Sequence, residues 1–385
     1  MPSSRRSPTS RPCTRTSTPR RTTPSSSSGP PRPEPTRNTK HAAATRRQRV
    51  ACCVSKLPAM AELQFREALR DAMTEEMERD ESVFLMGEEV AEYDGAYKVS
   101  QGMLDQFGPK RVVDTPISES GFTGLGIGAA MLGLRPIIEF MTWNFTFVAF
   151  DQIVSNAAKV RYMSGGQAKV PIVMRGGNGA AGQLGATHSN SVEAFYTNVP
   201  GLKVVAPSNP DDAKGLLKAA IRDDDPVLFL ESELMFGLKG EVSDEKDYLL
   251  PIGKARIARE GDDLTIVAHS KSYWLAMEAA EELAKQGYEA TVIDPRTLRP
   301  FDTDAVVESV KKTNRLVIVD ESQPFGGVAS EVAFRIQQQC FDHLDAPIER
   351  VTAKDVPAPY AKNLIEAWMP SVDETIQAAK RALYV

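Results

Sequence analysis

Short apolar runs alternate with amphipathic stretches over residues 63–231. Apolar runs of this length predict strands, and a 3.6-residue apolar period predicts helices. The predicted strands are 83–86, 136–140, 171–175, 202–206 and 227–231, and the predicted helices are 63–79, 121–132, 145–162 and 211–222. Asn209 is a suitable cap for the last helix, and Pro210 falls in its first turn. Strands that alternate with helices in this way are typical of a parallel sheet covered on both faces.

A second, shorter alternation follows a charged and weakly periodic stretch at 237–262. Its predicted strands are 264–269, 290–294, 316–319 and 348–351, and its predicted helices are 274–286, 303–312, 328–341 and 371–383. The pattern therefore predicts an α/β protein with two domains, at residues 60–240 and 263–385, joined by a linker at 241–262.

The first 59 residues have a different composition from the rest of the chain. They hold ten of the 26 prolines, 13 Lys and Arg against the single acid Glu34, and no Leu, Ile, Phe or Val before Val50. Such a segment cannot bury a core, so we predict a disordered basic extension at 1–59.

Three origins of this extension stay open. A mitochondrial transit peptide would be rich in Arg and Ser, as here, but the frequent prolines prevent an amphipathic helix. Alternatively, translation starts near Met60, where helical periodicity begins directly, or the segment is a functional basic arm. We favour the start near Met60, which predicts a bacterial cytoplasmic enzyme; a transit peptide would predict the mitochondrial matrix.

Charge and composition exclude several classes of function. The net charge of the chain is -5, but residues 60–385 carry 33 basic and 50 acidic side chains, which disfavours nucleic-acid binding. The longest uncharged apolar stretch, 120–134, is too short for a transmembrane helix. Three of the four cysteines lie in the extension, so we expect an intracellular protein without a disulfide framework.

Two segments are candidates for chemistry. Glu119 ends the sequence D-T-P-I-S-E just before a Gly-rich helix; it is either a carboxyl group that burial makes useful as an acid or base, or an acid that stabilises the helix start. A Gly-rich stretch at 176–189 follows a predicted strand and contains His188, which could transfer a proton near neutral pH. The alternative for the second segment is a flexible surface loop. Phosphate-loop, nucleophile-elbow and paired-histidine metal motifs are absent from the sequence, and 124–128 does not have the spacing of a dinucleotide fingerprint.

These segments are parts of a longer series of motifs. In chain order they are G-E-E-V at 87–90, Y-D-G-A-Y-K-V-S at 93–100, D-T-P-I-S-E at 114–119, G-A-A-M-x-G-L-R-P at 128–136, E-F-M-T-W-N-F at 139–145, Y-M-S-G-G at 162–166, P-G-L-K-V-V at 200–205, A-K-G-L-L-K-A-A-I-R-D at 213–223 and D-V-P-x-P-Y-A at 355–361. The series, which covers 63–385, resembles the β subunits of the pyruvate dehydrogenase E1 component. These are thiamine-diphosphate proteins of the transketolase-like superfamily.

The resemblance implies roles for individual residues. Glu119 matches the glutamate that hydrogen-bonds the aminopyrimidine ring of thiamine diphosphate, and Ile117 and Phe145 match positions that contact the cofactor. His188 matches a channel histidine that assists transfer to the lipoyl group, although Thr187 stands where many relatives have Gln. A structural potassium ion is implied at the backbone carbonyls of five residues: Ile172, Ala220, Ile221, Asp223 and Asp225.

The resemblance also implies the fold, the partners and the reaction. A pyrimidine-binding parallel-sheet domain would precede a transketolase C-terminal-type domain. The G-D-G…N segment that holds the diphosphate and Mg²⁺ is absent from this sequence, which implies a separate α subunit in an α2β2 heterotetramer. The complex would decarboxylate pyruvate oxidatively and acetylate the lipoyl domain of an E2 acyltransferase.

Two rival interpretations of function stay open. The chain could instead belong to a branched-chain 2-oxoacid or acetoin dehydrogenase, although E-F-M-T-W-N-F and G-A-Y-K-V-S favour the pyruvate enzyme. A non-catalytic scaffold is the other possibility, and the joint presence of Glu119, Phe145 and His188 argues against it.

Overall fold

The computed structural model of the chain describes residues 60–385, so the predicted extension at 1–59 and the questions about its origin lie outside the described residues. The strands in the described part are β1 (Met60–Gln64), β2 (Val83–Gly87), β3 (Val112–Asp114), β4 (Arg135–Thr142), β5 (Val173–Asn178), β6 (Lys203–Val205), β7 (Val227–Ser232), β8 (Lys239–Ser243), β9 (Arg256–Arg259), β10 (Leu264–Ala268), β11 (Ala290–Asp294), β12 (Thr297–Arg299), β13 (Leu316–Val319) and β14 (Glu349–Val351). The α-helices are α1 (Phe65–Arg79), α2 (Met103–Phe107), α3 (Glu119–Met131), α4 (Val160–Met163), α5 (Glu193–Thr197), α6 (Pro210–Arg222), α7 (Ser270–Ala284), α8 (Thr303–Thr313), α9 (Val328–Cys340), α10 (Lys362–Trp368) and α11 (Val372–Leu383).

The larger sheet has the strand order β12-β6-β7-β5-β4-β2-β3, and its strands are parallel except for β12. Helices α1 and α6 cover one face, where Phe65, Leu69 and Leu216 are buried. Helix α3 and the segment after β4 cover the other face, where Phe122 and Trp143 are buried. Both faces are therefore withdrawn from water, which explains why apolar residues predominate in the central strands.

The second sheet has the order β14-β13-β10-β11-β9, with β9 antiparallel to β11. Helices α7 and α11 pack on one face, and α8 and α9 lie on the other. The prediction of two α/β domains is confirmed. In the part of the chain that the structure describes, we find no helix with the length and apolarity needed to cross a membrane.

The largest difference from the expected fold lies in the predicted linker and at the two ends of the first domain. Strand β8 pairs with β1, so the first helix begins at Phe65 rather than at residue 63. Strand β9, also within the linker range, pairs with β11 of the second sheet, and β12 adds a strand from the second half of the chain to the edge of the first sheet. These strands are short and contain polar as well as apolar residues. Each forms only by pairing with a strand that is distant in the sequence, so local periodicity does not predict it.

The predicted helix over 145–162 is wrong as a single element. The structure has a 3₁₀-helix at Trp143–Ala149, a π-helix at Gln152–Ala157 and then α4. Side-chain hydroxyls take up backbone hydrogen-bonding groups in this segment. Thr142 Oγ1 accepts a hydrogen bond from the amide of Asn144 at 3.3 Å, and the Thr146 hydroxyl donates to the carbonyl of Trp143 at 2.7 Å. Such local bonds offer the backbone an alternative to regular α-helix.

An ion triad lies inside the first sheet. Arg175 on β5 donates Nε to Glu231 Oε1 on β7 at 2.6 Å, pairs with the same carboxylate through Nη2, and pairs with Glu139 on β4 through Nη1. All three side chains are buried. Burial raises the pKa of both glutamates, and the guanidinium acts against that rise. The triad ties three neighbouring parallel strands together near their carboxyl ends.

We predict that Arg175→Met destabilises the protein, because it leaves two buried carboxyl groups without a counter-charge. Breaking a buried ion pair in this way typically costs about 3–5 kcal/mol. In the folded variant the two buried carboxyl groups must stay protonated, which costs more free energy as the pH rises. The decrease in thermal midpoint should therefore be larger at pH 8 than at pH 5. Calorimetry at both pH values measures this loss.

Arg381→Met is the matched control, since Arg381 pairs with Glu349 at the surface, where ion pairs contribute little. A loss for Arg175→Met that equals the control, or that does not change with pH, would contradict the prediction.

Candidate functional site

The candidate site lies at the carboxyl edge of the first sheet. Glu88 follows β2, Phe145 lies in the segment after β4, and His188 lies in the loop after β5. Loops that follow parallel strands collect at one edge of a sheet, and ligands of open α/β sheets bind there. The order of the strands therefore brings together residues that are far apart in the sequence.

Glu119 is the first residue of α3 and its side chain is buried. Its place at the helix start is confirmed, and the helix dipole stabilises a carboxylate there. The role of Glu119 as an acid or base stays a prediction. Glu88 is its acidic neighbour: burial, together with the charge of Glu119, raises the pKa of Glu88 to about 7. Glu88 can therefore hold a proton near neutral pH.

The loop that contains Glu88 is fixed by Asp114, the last residue of β3. Its two carboxylate oxygens accept the backbone amides of Ala91 at 2.7 Å and Glu92 at 3.1 Å. The segment D-T-P-I-S-E thus begins with a residue that holds the neighbouring loop and ends with Glu119.

Phe145 and His188 are in direct contact. Their ring centroids lie 5.3 Å apart with an interplanar angle of 86°, and both side chains are half-buried. Thr187 Oγ1 lies 2.8 Å from His188 Nδ1. Thr187 therefore hydrogen-bonds the imidazole of His188 directly.

Two asparagines that the sequence analysis missed connect the segments of Phe145 and His188. Asn144 Oδ1 accepts the backbone amide of Asn190 at 3.0 Å and its side-chain amide at 2.8 Å. Asn144 also donates Nδ2 to Thr142 Oγ1 at 3.0 Å. Only their positions in the sequence, one residue before Phe145 and two after His188, could have indicated that they belong to the site.

Helix α3 packs against the 3₁₀-helix that contains Phe145. The structure therefore places Glu119 on an element adjoining the Phe145–His188 pair. Ile117, the fourth predicted site residue, is 84% exposed at the rim of this edge. A residue so exposed contributes to a site only when a ligand or another chain covers it.

The five carbonyls predicted to bind a cation lie around the end of α6. Arg135 Nη1 donates to the carbonyls of Ile221 at 3.1 Å and Asp223 at 3.0 Å. The carbonyl of Ala220 accepts the amide of Asp223 at 3.2 Å, and that of Ile172 accepts the amide of Val227 at 3.0 Å. A carbonyl oxygen has two lone pairs, so each of these groups keeps capacity for a second partner.

Charged side chains surround these carbonyls. Lys203 Nζ lies 2.6 Å from Asp223 Oδ2 and 3.2 Å from Asp225 Oδ2, and Arg161 also pairs with Asp225. Over residues 60–385, no group of three or more His, Cys, Asp and Glu side chains could hold a metal ion. A cation at α6 would therefore depend on backbone oxygens.

Two family models match the described chain. The model "Transketolase, pyrimidine binding domain" matches residues 61–237, and "Transketolase, C-terminal domain" matches residues 253–374. The second match begins before β9, so it includes part of the segment that we expected to be a linker.

Curated relatives are similar over most of the chain. "Pyruvate dehydrogenase E1 component subunit beta" of Rhizobium meliloti is 57% identical, with 84% of this chain and 71% of the relative covered. The protein of the same name from Rickettsia felis is 57% identical, with 83% and 98% covered. "Pyruvate dehydrogenase E1 component subunit beta-2, mitochondrial" of Oryza sativa subsp. japonica is 54% identical, with 85% and 88% covered.

Two solved structures share the fold at low sequence identity. A split-gene transketolase, described as an inactive β4 tetramer, has a TM-score of 0.68 at 22% identity, with 84% of this chain and 98% of that chain covered. The transketolase of Campylobacter jejuni has a TM-score of 0.61 at 15% identity, with 82% and 46% covered.

We predict that Glu88→Gln changes how stability depends on pH. A carboxyl with a raised pKa in the folded state contributes stability below its ordinary pKa, and this contribution is lost as the pH rises through about 7. Because Gln cannot ionise beside Glu119, the thermal midpoint of the variant relative to the wild type should increase from pH 5 to pH 8. Scanning calorimetry at both pH values measures the difference.

Glu89→Gln is the control, since Glu89 is the exposed neighbour on the same loop. Its difference from the wild type should be the same at both pH values. If Glu88→Gln behaves in the same way as this control, the raised pKa assigned to Glu88 is wrong.

Proposed function

The chain belongs to the family of β subunits of the pyruvate dehydrogenase E1 component, and from this premise we propose that it acts on pyruvate and transfers the acetyl group to a lipoyl group. The family makes it a subunit of a thiamine-dependent 2-oxoacid dehydrogenase. The observation that carries the proposal is the Phe145–His188 contact beside the helix that begins with buried Glu119. A scaffold subunit would not require these groups together.

The residues at this edge fit the pyrimidine half of thiamine diphosphate. A buried carboxylate can accept a hydrogen bond from a ring nitrogen, and a half-buried aromatic ring can stack on a flat heterocycle. Glu119, Phe145 and Ile117 are the residues proposed to hold this ring. When bound, the cofactor supplies an electron sink for decarboxylation that protein side chains lack.

Each side chain has its own task in this proposal. Glu119 makes a charge-assisted hydrogen bond of about 1.5–3 kcal/mol and shares a proton with the bound ring. Phe145 orients the ring and excludes water from it. His188, whose Nδ1 bonds Thr187 Oγ1, holds or moves a proton at its other ring nitrogen.

The diphosphate and Mg²⁺ are proposed to be held by a separate α subunit. The sequence lacks the G-D-G…N segment, and the described residues include no side-chain metal cluster. Exposed apolar side chains near Glu119 and in the segment between β4 and β5 support a covering subunit; they are Ile117, Phe147, Val148, Tyr162 and Met163. We propose an α2β2 heterotetramer whose lipoyl-bearing partner is an E2 acyltransferase.

A structural potassium ion is proposed at the end of α6. The last carbonyls of a helix carry negative partial charge, which favours a cation. Arg135 Nη1 donates to those of Ile221 and Asp223, so the ion would share these oxygens with the guanidinium through their second lone pairs. The thermal midpoint of the assembled enzyme should rise with KCl concentration and stay lower in choline chloride of equal ionic strength. A site at 100 times its dissociation constant would add about 2.7 kcal/mol. Equal midpoints in the two salts would exclude the site.

A substrate panel tests the proposed function directly. The chain is co-expressed with an α subunit of the family, and dye reduction is assayed with pyruvate, branched-chain 2-oxoacids and acetoin. Turnover of pyruvate that requires thiamine diphosphate, Mg²⁺ and the α chain is the expected result. A preference for another substrate overturns the pyruvate assignment, and inactivity of an assembled, cofactor-loaded tetramer with all of them overturns the enzyme assignment.

We predict that Glu119→Gln lowers kcat in this assay by about 10²–10⁴, the usual effect of removing a group that transfers a proton. Gln keeps the shape but cannot share the proton. Glu81→Gln, an exposed carboxyl on the same domain, is the control and should keep wild-type kcat. Undiminished turnover in Glu119→Gln with the α subunit present would favour the scaffold interpretation.

A further inference from the structure

The loop between β5 and α5, residues 179–192, contains His188 and is closed at its base by Asn178. The side chain of Asn178 accepts the amide of Val192 at 3.1 Å and donates to Glu193 Oε1 at 2.8 Å. The amide of Gly179 also donates to the carbonyl of Asn190 at 3.2 Å. The two ends of the loop are therefore held side by side, and the position of His188 depends on the orientation of this base.

The second domain contacts the base of the loop through a buried carboxyl group. Glu321, two residues after β13, accepts the backbone amide of Ala180 with Oε1. Gly179 has φ +81, and a Cβ at this position would overlap that carboxylate. Glycine thus permits both the left-handed backbone and the close approach of the carboxyl group.

The segment that presents Glu321 is itself held by hydrogen bonds. Asp320 accepts the amide of Ser322 at 3.0 Å and that of Ala329, at the start of α9, at 3.2 Å. The carbonyl of Ser322 accepts the amide of Ala353 at 3.2 Å. The carboxyl group is therefore held by the second sheet and by α9, and it transmits their position to the loop.

Apolar contacts support the same base of the loop. Ala180 is buried in a small cluster with Ala353, Ala358 and Trp368 of the second domain. Further along the loop, Tyr360 lies beside Gly185, three residues before His188. The second domain thus contacts the loop near its base and close to the histidine.

We infer that Glu321 is a positioning residue for the reaction: it acts on His188 through the Ala180 peptide, so that the second domain sets the geometry of the active-site loop. This inference rests on the proposed function of His188 in transfer to the lipoyl group. It gives the second domain a role in the chemistry beyond contacts with other chains.

The ionisation of Glu321 guides the choice of variants. Burial raises its pKa to about 7, with Glu193, Lys271 and Asp320 as its charged neighbours. Both forms of the carboxyl group can accept the Ala180 amide, and Gln presents an amide oxygen at the same length. Glu321→Gln therefore preserves the contact, whereas Glu321→Ala removes it and Glu321→Asp withdraws it by one methylene.

The test uses the α2β2 enzyme assembled with the full β chain. Hydrogen exchange of the peptide that covers 178–192 should increase in Glu321→Ala and Glu321→Asp, and should remain at the wild-type level in Glu321→Gln and in Glu308→Ala, an exposed control. The kcat/KM for acetylation of a lipoyl domain should fall by about 10–100-fold in Glu321→Ala, the range expected for a misplaced catalytic group. Glu321→Gln should restore most of this loss.

A double-mutant cycle separates positioning from a general structural effect. If Glu321 acts through His188, the variant with both Glu321→Ala and His188→Ala should be no slower than His188→Ala alone. Additive losses, or unchanged exchange of 178–192, would overturn the inference. If Glu321→Ala does not assemble, Glu321→Asp serves in both measurements.

The proposed function can fail separately from this inference. A wild-type tetramer that does not turn over pyruvate overturns the function, but the exchange comparison needs no turnover and still decides whether Glu321 orders the loop.

Discussion

The buried Arg175 triad is the interaction on which the geometry of the site depends. One guanidinium joins carboxylates on the two strands that flank β5, and a one-residue slip of either strand would turn its glutamate to the other face of the sheet. Buried ion pairs are a weak source of net stability. In this sheet the triad instead fixes the register of three strands. Two of them, β4 and β5, lead directly into the segments that contain Phe145 and His188.

Elements with strong local signals could be predicted from the sequence. Strands β2, β4 and β7 are mainly apolar because both of their faces are buried, and α6 begins with an Asn209 cap and Pro210, as predicted. Strands β1, β8, β9 and β12 lacked such signals, since each is short, contains polar residues and is defined by a partner far along the chain. The 143–163 segment has helical periodicity, but hydroxyl bonds from Thr142 and Thr146 redirect its backbone.

The candidate site likewise contains some features that the sequence predicts and others that it does not. The position of Glu119 at a helix start and that of His188 at the end of a Gly-rich stretch were visible in the sequence, and the family resemblance gave them roles. The Asn144–Asn190 bonds and the Glu321–Ala180 bond join residues 46 and 141 positions apart. Neither has a periodic or compositional signature, because it exists only once the two segments have packed.

The edge strand β12 has a consequence for the order of events during synthesis. Strand β6 pairs with β7 on one side and with β12, from residues 297–299, on the other. A nascent chain that has emerged only as far as residue 262 would present β6 as an unpaired edge, and such edges promote association with other chains. The first domain therefore completes its sheet only after the beginning of the second domain, up to Arg299, has left the ribosome.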